Sequence, residues 1–249
     1  MKKILSILNN GQKKLAVLID PDKNQNDENL LTLLNKIQHL NPAFLFVGGS
    51  TVDTNAFNIC IERIKKFCKI PVVIFPGSHN QIHKDADGIL FLSLISGRNP
   101  DYLIGHHVES AHLLKKMEID VIPTGYLLID GGKNSSVQYV SQTTPIPADQ
   151  ESIAVKTTIA GELLGMQTIF LDAGSGALNP VPANMIKEVR KNTQLPLIIG
   201  GGIKTIDQVN LAFDSGADVV VIGNKIEEDM NFLLDLVNVQ KHLHNQTRL

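Results

Sequence analysis

The chain has 249 residues, with 23 basic and 25 acidic side chains and a formal net charge of −2 at pH 7. This balance excludes the electrostatic footprint of a nucleic-acid-binding protein, so we expect a small partner. Because the sequence has no apolar leader and no apolar stretch of about 20 residues, we expect a cytoplasmic protein without a transmembrane segment, with Cys60 and Cys68 as free thiols.

Apolar runs typical of buried strands alternate with amphipathic segments typical of helices along the sequence. The predicted strands are 15–20, 43–50, 71–77, 88–94, 120–130, 168–171, 197–202 and 219–224. The predicted helices are 28–39, 53–68, 100–117, 149–166, 182–193, 205–215 and 226–242. This pattern predicts an α/β fold, a TIM (β/α)8 barrel, as a single domain over residues 1–249. The alternative is an open doubly wound sheet, whose glycine-rich loop follows the first strand, but here that strand ends in carboxylates.

Two connections between the predicted strands have unusual lengths. Residues 78–87 alone separate the third and fourth strands, which is at the lower limit for a crossover that contains a helix. We therefore expect the third barrel helix to be missing or vestigial. Residues 131–148 form a long polar connection rich in Ser, Thr and Pro, and long loops of this kind are often lids over a site.

The last three predicted strands each end in a glycine-rich turn. These turns are 172–176, 200–202 and 223–224. Glycine lets backbone amides approach an anion closely, and TIM barrels often bind phosphate after strands seven and eight. One glycine turn after a strand is usually no more than a turn, but three at neighbouring strand ends predict a phosphate site.

Carboxylates and a hydroxyl lie at other strand ends. Asp20 and Asp22 follow the first strand and Ser50 follows the second. Mg²⁺ is normally bound by one or two carboxylates together with substrate phosphate oxygens. These residues therefore predict a metal-bound polyphosphate, and the alternative for Asp20 and Asp22 is an ordinary turn or helix cap.

Further candidates lie on strands four to six. Asp172 ends the sixth strand, where it could accept a proton from a substrate hydroxyl or could instead stabilise the turn. Tyr126 and Arg98 could supply a hydrogen bond and a positive charge, and each has a structural role as its alternative. His79 and His83 are four residues apart but have no neighbouring Glu motif, so we do not expect them to bind metal.

Eight short motifs occur in order along nearly the whole chain. They are Asp20-Pro-Asp-Lys23, Phe46-Val-Gly-Gly-Ser50, Phe75-Pro-Gly-Ser78, Arg98-Asn-Pro100, Pro123-Thr-Gly-Tyr126, Leu171-Asp-Ala-Gly-Ser-Gly176, Gly200-Gly-Gly-Ile203 and Gly223-Asn224. In this combination the chain resembles the geranylgeranylglyceryl phosphate synthases. The resemblance implies a modified TIM barrel without a regular third helix. It also implies Mg²⁺-dependent transfer of a geranylgeranyl group from its diphosphate to sn-glycerol 1-phosphate, which forms an ether lipid precursor.

The resemblance implies roles for individual residues. The metal positions fall on Asp20 and Ser50, Lys23 and Arg98 are expected to bind the donor diphosphate, and Asp172 and Tyr126 are the expected catalytic residues. The expected glycerol phosphate site comprises Phe170, Leu171, Asp172, Ala173, Gly174, Ser175, Gly176, Gly201, Gly202, Gly223 and Asn224. The family usually has Tyr and Glu where this chain has Phe170 and Asp172, so one hydroxyl is absent and one carboxylate is a methylene shorter.

Two alternatives to this function remain at the level of the sequence. One is a related prenyltransferase that uses another prenyl length or another phosphorylated acceptor, such as a phosphoglycerate. The other is a barrel that binds phosphorylated metabolites without turnover, for which the changed residues Phe170 and Asp172 are the argument. The resemblance further implies a homo-oligomer, a dimer or a hexamer, and no nucleic-acid partner.

Overall fold

The structure, a computed structural model, describes residues 3–223, 225–228 and 230–246. Eight parallel strands pair in sequence order and close into a barrel, which confirms the predicted fold class. The strands are β1 (Lys14–Ile19), β2 (Phe44–Val47), β3 (Val72–Ile74), β4 (Gly88–Leu94), β5 (Asp120–Leu128), β6 (Thr168–Asp172), β7 (Leu197–Gly200) and β8 (Val219–Ile222). The α-helices are α1 (Lys3–Leu8), α2 (Asp27–Leu40), α3 (Thr54–Phe67), α4 (His106–Lys116), α5 (Ser136–Ser141), α6 (Glu151–Leu163), α7 (Ala183–Asn192), α8 (Ile206–Asp214), α9 (Lys225–Glu228) and α10 (Met230–Gln246).

Alternation along each strand decides which side chains reach the barrel interior. Successive side chains of a strand point to opposite faces. In β6, Phe170 packs in the interior cluster, whereas Ile169 and Leu171 belong to the larger cluster between the strands and the helices. Both layers are apolar because a parallel sheet is covered on both faces. A polar residue at an inward position near a strand's carboxyl end is therefore placed at the mouth of the barrel.

The connection between β3 and β4 confirms the prediction about the third helix. Residues 75–87, all of them described, contain no helix and cross the barrel wall as turns and extended chain. On the far side of β4, the helix predicted over 100–117 begins with a π-helical turn, Asp101–Gly105, before α4. The barrel wall is therefore thinner here than at the other crossovers.

The connection 131–148 was expected to be an irregular loop, and the structure corrects this. It contains the short helix α5, whose first turn is capped by Ser135, with the Ser135 hydroxyl accepting a hydrogen bond from the Gln138 amide at 3.3 Å. Six residues are too few to show a helical period in the sequence. The helix exposes Ser136 and Tyr139, the latter at 86%, and its other face turns Val137 and Val140 to the cavity and buries Ser141.

Helix α1 closes the amino-terminal end of the barrel. Ile4 and Leu8 are buried in the interior cluster beneath Phe44 and Val219, and the Ile4 amide donates to Asp120 Oδ2 at 2.7 Å. Among the described residues, no helix combines the length and the apolar character that crossing a membrane requires. Cys60 and Cys68 are buried and unbridged, as predicted.

Candidate active site

A cavity of about 640 Å³ opens at the carboxyl ends of the strands. Its volume is within the usual range for small-molecule sites, and this end of a TIM barrel is where active sites lie. The sequence-predicted residues that line it are Asp20, Ser50, Tyr126, Phe170, Asp172, Ser175, Gly176, Gly201, Gly202 and Gly223. The structure therefore gathers residues from the ends of six strands around one space.

Asp172 is the buried carboxylate of this cavity. It is the last residue of β6 and is 7% exposed. The Tyr126 hydroxyl donates to Asp172 Oδ2 at 2.6 Å, and the Gly174 amide donates to Oδ1 at 2.8 Å. Tyr126 reaches Asp172 because β5 and β6 pair with Tyr126 opposite Phe170, so that both polar side chains point inward two residues apart. These two donors hold the carboxylate in one orientation.

Burial dominates the ionisation of this pair. It raises the pKa of Asp172 above its ordinary value, and the hydrogen bonds from Tyr126 and Gly174 oppose that rise. Burial, together with the neighbouring charge of Asp172, raises the pKa of Tyr126 well above its ordinary value. Tyr126 therefore stays protonated at neutral pH and acts as a donor, which leaves Asp172 as the proton acceptor of the two.

The loops after β6 and β7 present backbone amides to the cavity. Gly201 and Gly202 have φ of +79° and +70°, a left-handed conformation that glycine adopts without strain. In the part of the chain that the structure describes, the amides of Ser175, Gly176, Gly201 and Gly202 donate to no protein acceptor. These four amides, which we call the amide cradle, are donors at the cavity wall of the kind that binds an anion such as phosphate.

Two lysines beside the amide cradle were not singled out in the sequence. Lys204 and Lys225 line the cavity after the loops of β7 and β8, and the Lys204 ammonium donates to the Leu178 carbonyl at 3.2 Å. Thr205, next to Lys204, is the N-cap of α8. A basic residue close behind the last two glycine turns was the available clue, since phosphate sites commonly pair amides with a cation.

Asp20 and Ser50 line the opposite side of the cavity, with Asp22 beside them. Asp20 Oδ1 accepts a hydrogen bond from the Asp22 amide at 3.1 Å, and burial raises the pKa of Asp20. The described residues contain no group of three or more His, Cys, Asp or Glu side chains able to enclose a metal ion. One or two carboxylates with a hydroxyl nevertheless fit Mg²⁺, which usually completes its shell with water and substrate phosphate oxygens.

The rest of the cavity is an apolar arm. The sequence predicted the missing third barrel helix beside this arm but none of the residues that line it. The arm runs between the β3–β4 connection and the start of α4. Its lining residues include Phe75, His79, Ile82, Ile89, Phe91, Leu92, Tyr102 and His106. His79 and His106 face each other from the two sides with ring centroids 5.5 Å apart. His83 lies instead beside Glu62, 3.7 Å from it.

Several predicted site residues do not reach the cavity. Arg98 is exposed, and its guanidinium turns back to donate to the Gly97 carbonyl at 2.6 Å. Lys23 is exposed and does not line the cavity. Burial raises the pKa of Asp20, and the positive charge of Lys23 acts in the other direction and lowers it. Leu171 points into the outer layer.

The remaining predicted residues help to shape the glycine-rich turn 172–176 or lie outside the described chain. The Ala173 amide donates to the Gly200 carbonyl at 3.0 Å, and the Gly174 amide is used by Asp172. These amides therefore hold the turn together and are not available to a ligand. Asn224 lies outside the described residues.

The chain is similar to known enzymes over most of its length. It is 47% identical to the geranylgeranylglyceryl phosphate synthase of Flavobacterium johnsoniae over 93% of this chain and 95% of that protein. It is 46% identical to the synthase of Chitinophaga pinensis over 92% and 90% of the two chains. The solved structure of (S)-3-O-geranylgeranylglyceryl phosphate synthase from Thermoplasma acidophilum, in complex with its substrate sn-glycerol-1-phosphate, is 30% identical, with a TM-score of 0.89 and 98% of each chain covered.

The model of the PcrB family matches residues 9–241. Together with the relatives above, this match confirms the resemblance expected from the ordered motifs and the assignment as an enzyme of the prenyltransferase class. The chain belongs to the PcrB family.

Proposed function

We propose that this protein transfers a geranylgeranyl group from its diphosphate to the hydroxyl of sn-glycerol 1-phosphate, forming an ether lipid precursor, with Mg²⁺ as the cofactor. The observation that carries the proposal is that one cavity joins the amide cradle, the buried carboxylate of Asp172 and an apolar arm. An acceptor with a phosphate, a reacting hydroxyl and a partner with a long hydrocarbon chain need these three parts together. The relatives are named for the synthesis of geranylgeranylglyceryl phosphate, and the solved structure of one of them holds its substrate sn-glycerol-1-phosphate, which supports the acceptor in this proposal.

In this proposal, the amide cradle binds the phosphate of the acceptor. Its four residues line one cavity, their amides donate to no acceptor among the described residues, and Lys204 and Lys225 line the same cavity and provide positive charge. Hydrogen bonds from amides to a charged phosphate contribute about 1.5–3 kcal/mol. A phosphate bound there places the glycerol hydroxyls on the side of Asp172.

Asp172 takes the proton of the attacking hydroxyl. The hydroxyl oxygen forms a bond to the first carbon of the prenyl chain, the bond from that carbon to the diphosphate oxygen breaks, and the diphosphate leaves with the electron pair. Tyr126 holds Asp172 through its 2.6 Å hydrogen bond and keeps its own proton. Phe170 packs against Tyr126 with ring centroids 5.6 Å apart. Phe170 itself has no hydroxyl, and the hydroxyl that contacts the Asp172 carboxylate comes from Tyr126.

The donor diphosphate lies on the side of Asp20, Asp22 and Ser50. These oxygens would bind Mg²⁺, which neutralises charge on the departing diphosphate when it is bound. Arg98 is not part of this arrangement, because its guanidinium is held by its own loop. The prenyl chain occupies the apolar arm, where Phe75, Phe91 and Ile82 exclude water from the reacting carbon.

The proposal is tested by incubating the protein with sn-glycerol 1-phosphate, Mg²⁺ and prenyl diphosphates of several lengths and measuring the product mass. The expected product carries a geranylgeranyl ether. A product with another prenyl length, or turnover only with another acceptor such as a phosphoglycerate, would select the related-transferase alternative. Calorimetric binding of glycerol phosphate without any product would favour the non-catalytic barrel.

A homo-oligomer, a dimer or hexamer, and a single cytoplasmic domain over residues 1–249 are part of the same proposal. Exposed apolar side chains on the π-helical turn and α4 support an assembly, among them Ile104 at 59% and Val108 at 66% exposure. Light scattering of the purified protein measures the assembly directly.

A further inference from the structure

Gln81 is a buried polar residue of the helix-free connection between β3 and β4. It is 2% exposed and does not line the cavity. Its side-chain Nε2 donates to the Gly49 carbonyl at 3.0 Å, and its Oε1 accepts from the Gly77 amide at 2.9 Å. One buried amide group therefore bonds the loop after β2 to the loop after β3.

The chemistry of the two partners allows one orientation of this amide. A carbonyl can only accept and a backbone amide can only donate, so the Gln81 nitrogen must face Gly49 and its oxygen must face Gly77. Loss of the side-chain amide would leave both of these part-buried backbone groups without these partners.

The two loops that Gln81 joins contact each other backbone to backbone. A Cβ on Gly77 would lie 2.2 Å from the Gly49 carbonyl oxygen and 2.7 Å from Ser50 Cα. A Cβ on Gly49 would in turn lie 3.9 Å from Asp20 Oδ1. Gly49 and Ser50 thus fit between the β3 loop and the Asp20 carboxylate, and Gln81 fixes the spacing.

We infer that Gln81 is a positioning residue for the donor side of the site, holding Gly49 and Ser50 in place beside Asp20. The inference rests on the proposed function, in which Asp20 and Ser50 bind the metal–diphosphate group. Gln81 acts through the backbone of its neighbours and touches no substrate. In this barrel it does locally what a packed third helix would do elsewhere, since it ties the β3 connection to the neighbouring loop.

A Gln81→Glu variant tests the hydrogen-bond pattern itself. A protonated carboxyl donates to the Gly49 carbonyl and accepts from the Gly77 amide as the amide does, whereas a carboxylate cannot donate. Burial raises the pKa of such a carboxyl group. We therefore expect the ratio of variant to wild-type kcat/KM to rise about ten-fold as pH falls through that pKa, one hydrogen bond being worth about this factor. A ratio that stays constant with pH at a value well below one would overturn the inference.

Binding measurements complete the test without requiring turnover. Calorimetry with inorganic pyrophosphate and Mg²⁺ should show affinity about ten-fold weaker for Gln81→Met than for wild type, with unchanged affinity for sn-glycerol 1-phosphate. Thr168→Val is the matched control, because it removes one buried hydrogen bond, from Thr168 Oγ1 to the Pro196 carbonyl at 2.8 Å, at the far end of β6. This control should lose stability without any change in pyrophosphate binding.

Two failures are distinguishable in these experiments. Equal pyrophosphate affinities of wild type and Gln81→Met, or an equal loss in Gln81→Met and Thr168→Val, would reject the role of Gln81. Absence of prenyl transfer in the wild type would reject the proposed function, while the pyrophosphate result would still decide whether Gln81 organises an anion-binding loop.

Discussion

Asp172 and Tyr126 are 46 positions apart in the chain, yet they are joined by a 2.6 Å hydrogen bond in the barrel. The sequence predicted both as site residues, because each lies near the carboxyl end of an apolar strand. It could not predict their contact, which depends on the register that places Tyr126 opposite Phe170. The misplaced Arg98 has the same origin: a loop residue's position does not reveal that its own Gly97 carbonyl will hold its side chain.

The first prediction concerns Asp172→Asn, which keeps the shape of the side chain and removes the proton acceptor. Turnover should fall by about 10²–10⁴-fold, the usual contribution of a positioned base. Steady-state kinetics and circular dichroism should show this loss in a folded protein. Asp172→Glu is the matched variant that keeps a carboxylate, and it should retain measurable activity. An Asn variant within a few-fold of wild type would mean that water or the departing diphosphate takes the proton.

The second prediction concerns the pH profile of Tyr126→Phe. The Tyr126 hydroxyl lowers the pKa of Asp172 by donating to it, so its removal raises that pKa. Since Asp172 acts as a base only above its pKa, the acid limb of kcat/KM should move to higher pH. Tyr102→Phe, which removes another hydroxyl from the cavity wall, should leave the limb in place. If the acid limb of kcat/KM does not move in Tyr126→Phe, the ionisation that the limb reports is not that of Asp172.

At the scale of elements, the strand-end turns were the most predictable feature, because glycine after an apolar run has a direct conformational meaning. The third crossover was predictable from its length alone, since residues 78–87 leave little room for a helix. What fills that crossover was not predictable. Its shape depends on Gln81 and on a backbone contact between Gly49 and Gly77, neither of which follows from local sequence patterns.

The third prediction compares alanine substitutions in two glycine loops, at Gly201 after β7 and at Gly223 after β8. A Cβ on Gly201 would lie 2.6 Å from Asp172 Oδ1 and 2.6 Å from the Gly174 nitrogen, so Gly201→Ala would disturb the protein itself. A Cβ on Gly223 would meet no described atom within 4 Å, and Gly223 lines the cavity. Gly223→Ala keeps the backbone amide and should fold normally, but its added methyl group should keep the phosphate from approaching the β8 loop closely. We expect it to weaken binding of sn-glycerol 1-phosphate by about 10- to 100-fold, comparable to the loss of one hydrogen bond to a charged group.

Calorimetry of the Gly223→Ala variant checks this loss, and Gly165→Ala is its control. Gly165 has φ +89° and open space around it at the opposite end of β6, so alanine there strains the backbone without approaching the cavity. Unchanged acceptor affinity in a folded Gly223→Ala protein would place the phosphate away from the β8 loop.

At the scale of the whole molecule, the barrel separates stability from chemistry. The cavity, the amide cradle and Asp20 lie at the carboxyl ends of the strands. Helix α1 packs Ile4 and Leu8 into the other end. TIM barrels generally divide their two faces in this way, and the division explains why strand ends carried most of the functional information in the sequence.

The last prediction tests this division with Ile4→Ala. Ile4 is 1% exposed and packs in the interior cluster. The hydrogen bond from its backbone amide to Asp120 Oδ2 does not involve the side chain that is truncated. Truncating a buried Ile to Ala lowers the free energy of unfolding by about 2–5 kcal/mol, which corresponds to a fall in Tm of about 4–20 °C for a chain of this size. At a temperature where the variant stays folded, kcat and both KM values should equal those of the wild type. Gly223→Ala should show the reverse, with its Tm kept and acceptor binding lost. A changed acceptor or donor KM in Ile4→Ala would show that helix α1 and the active site are coupled through the barrel interior. An unchanged Tm would mean that α1 does not contribute to the core.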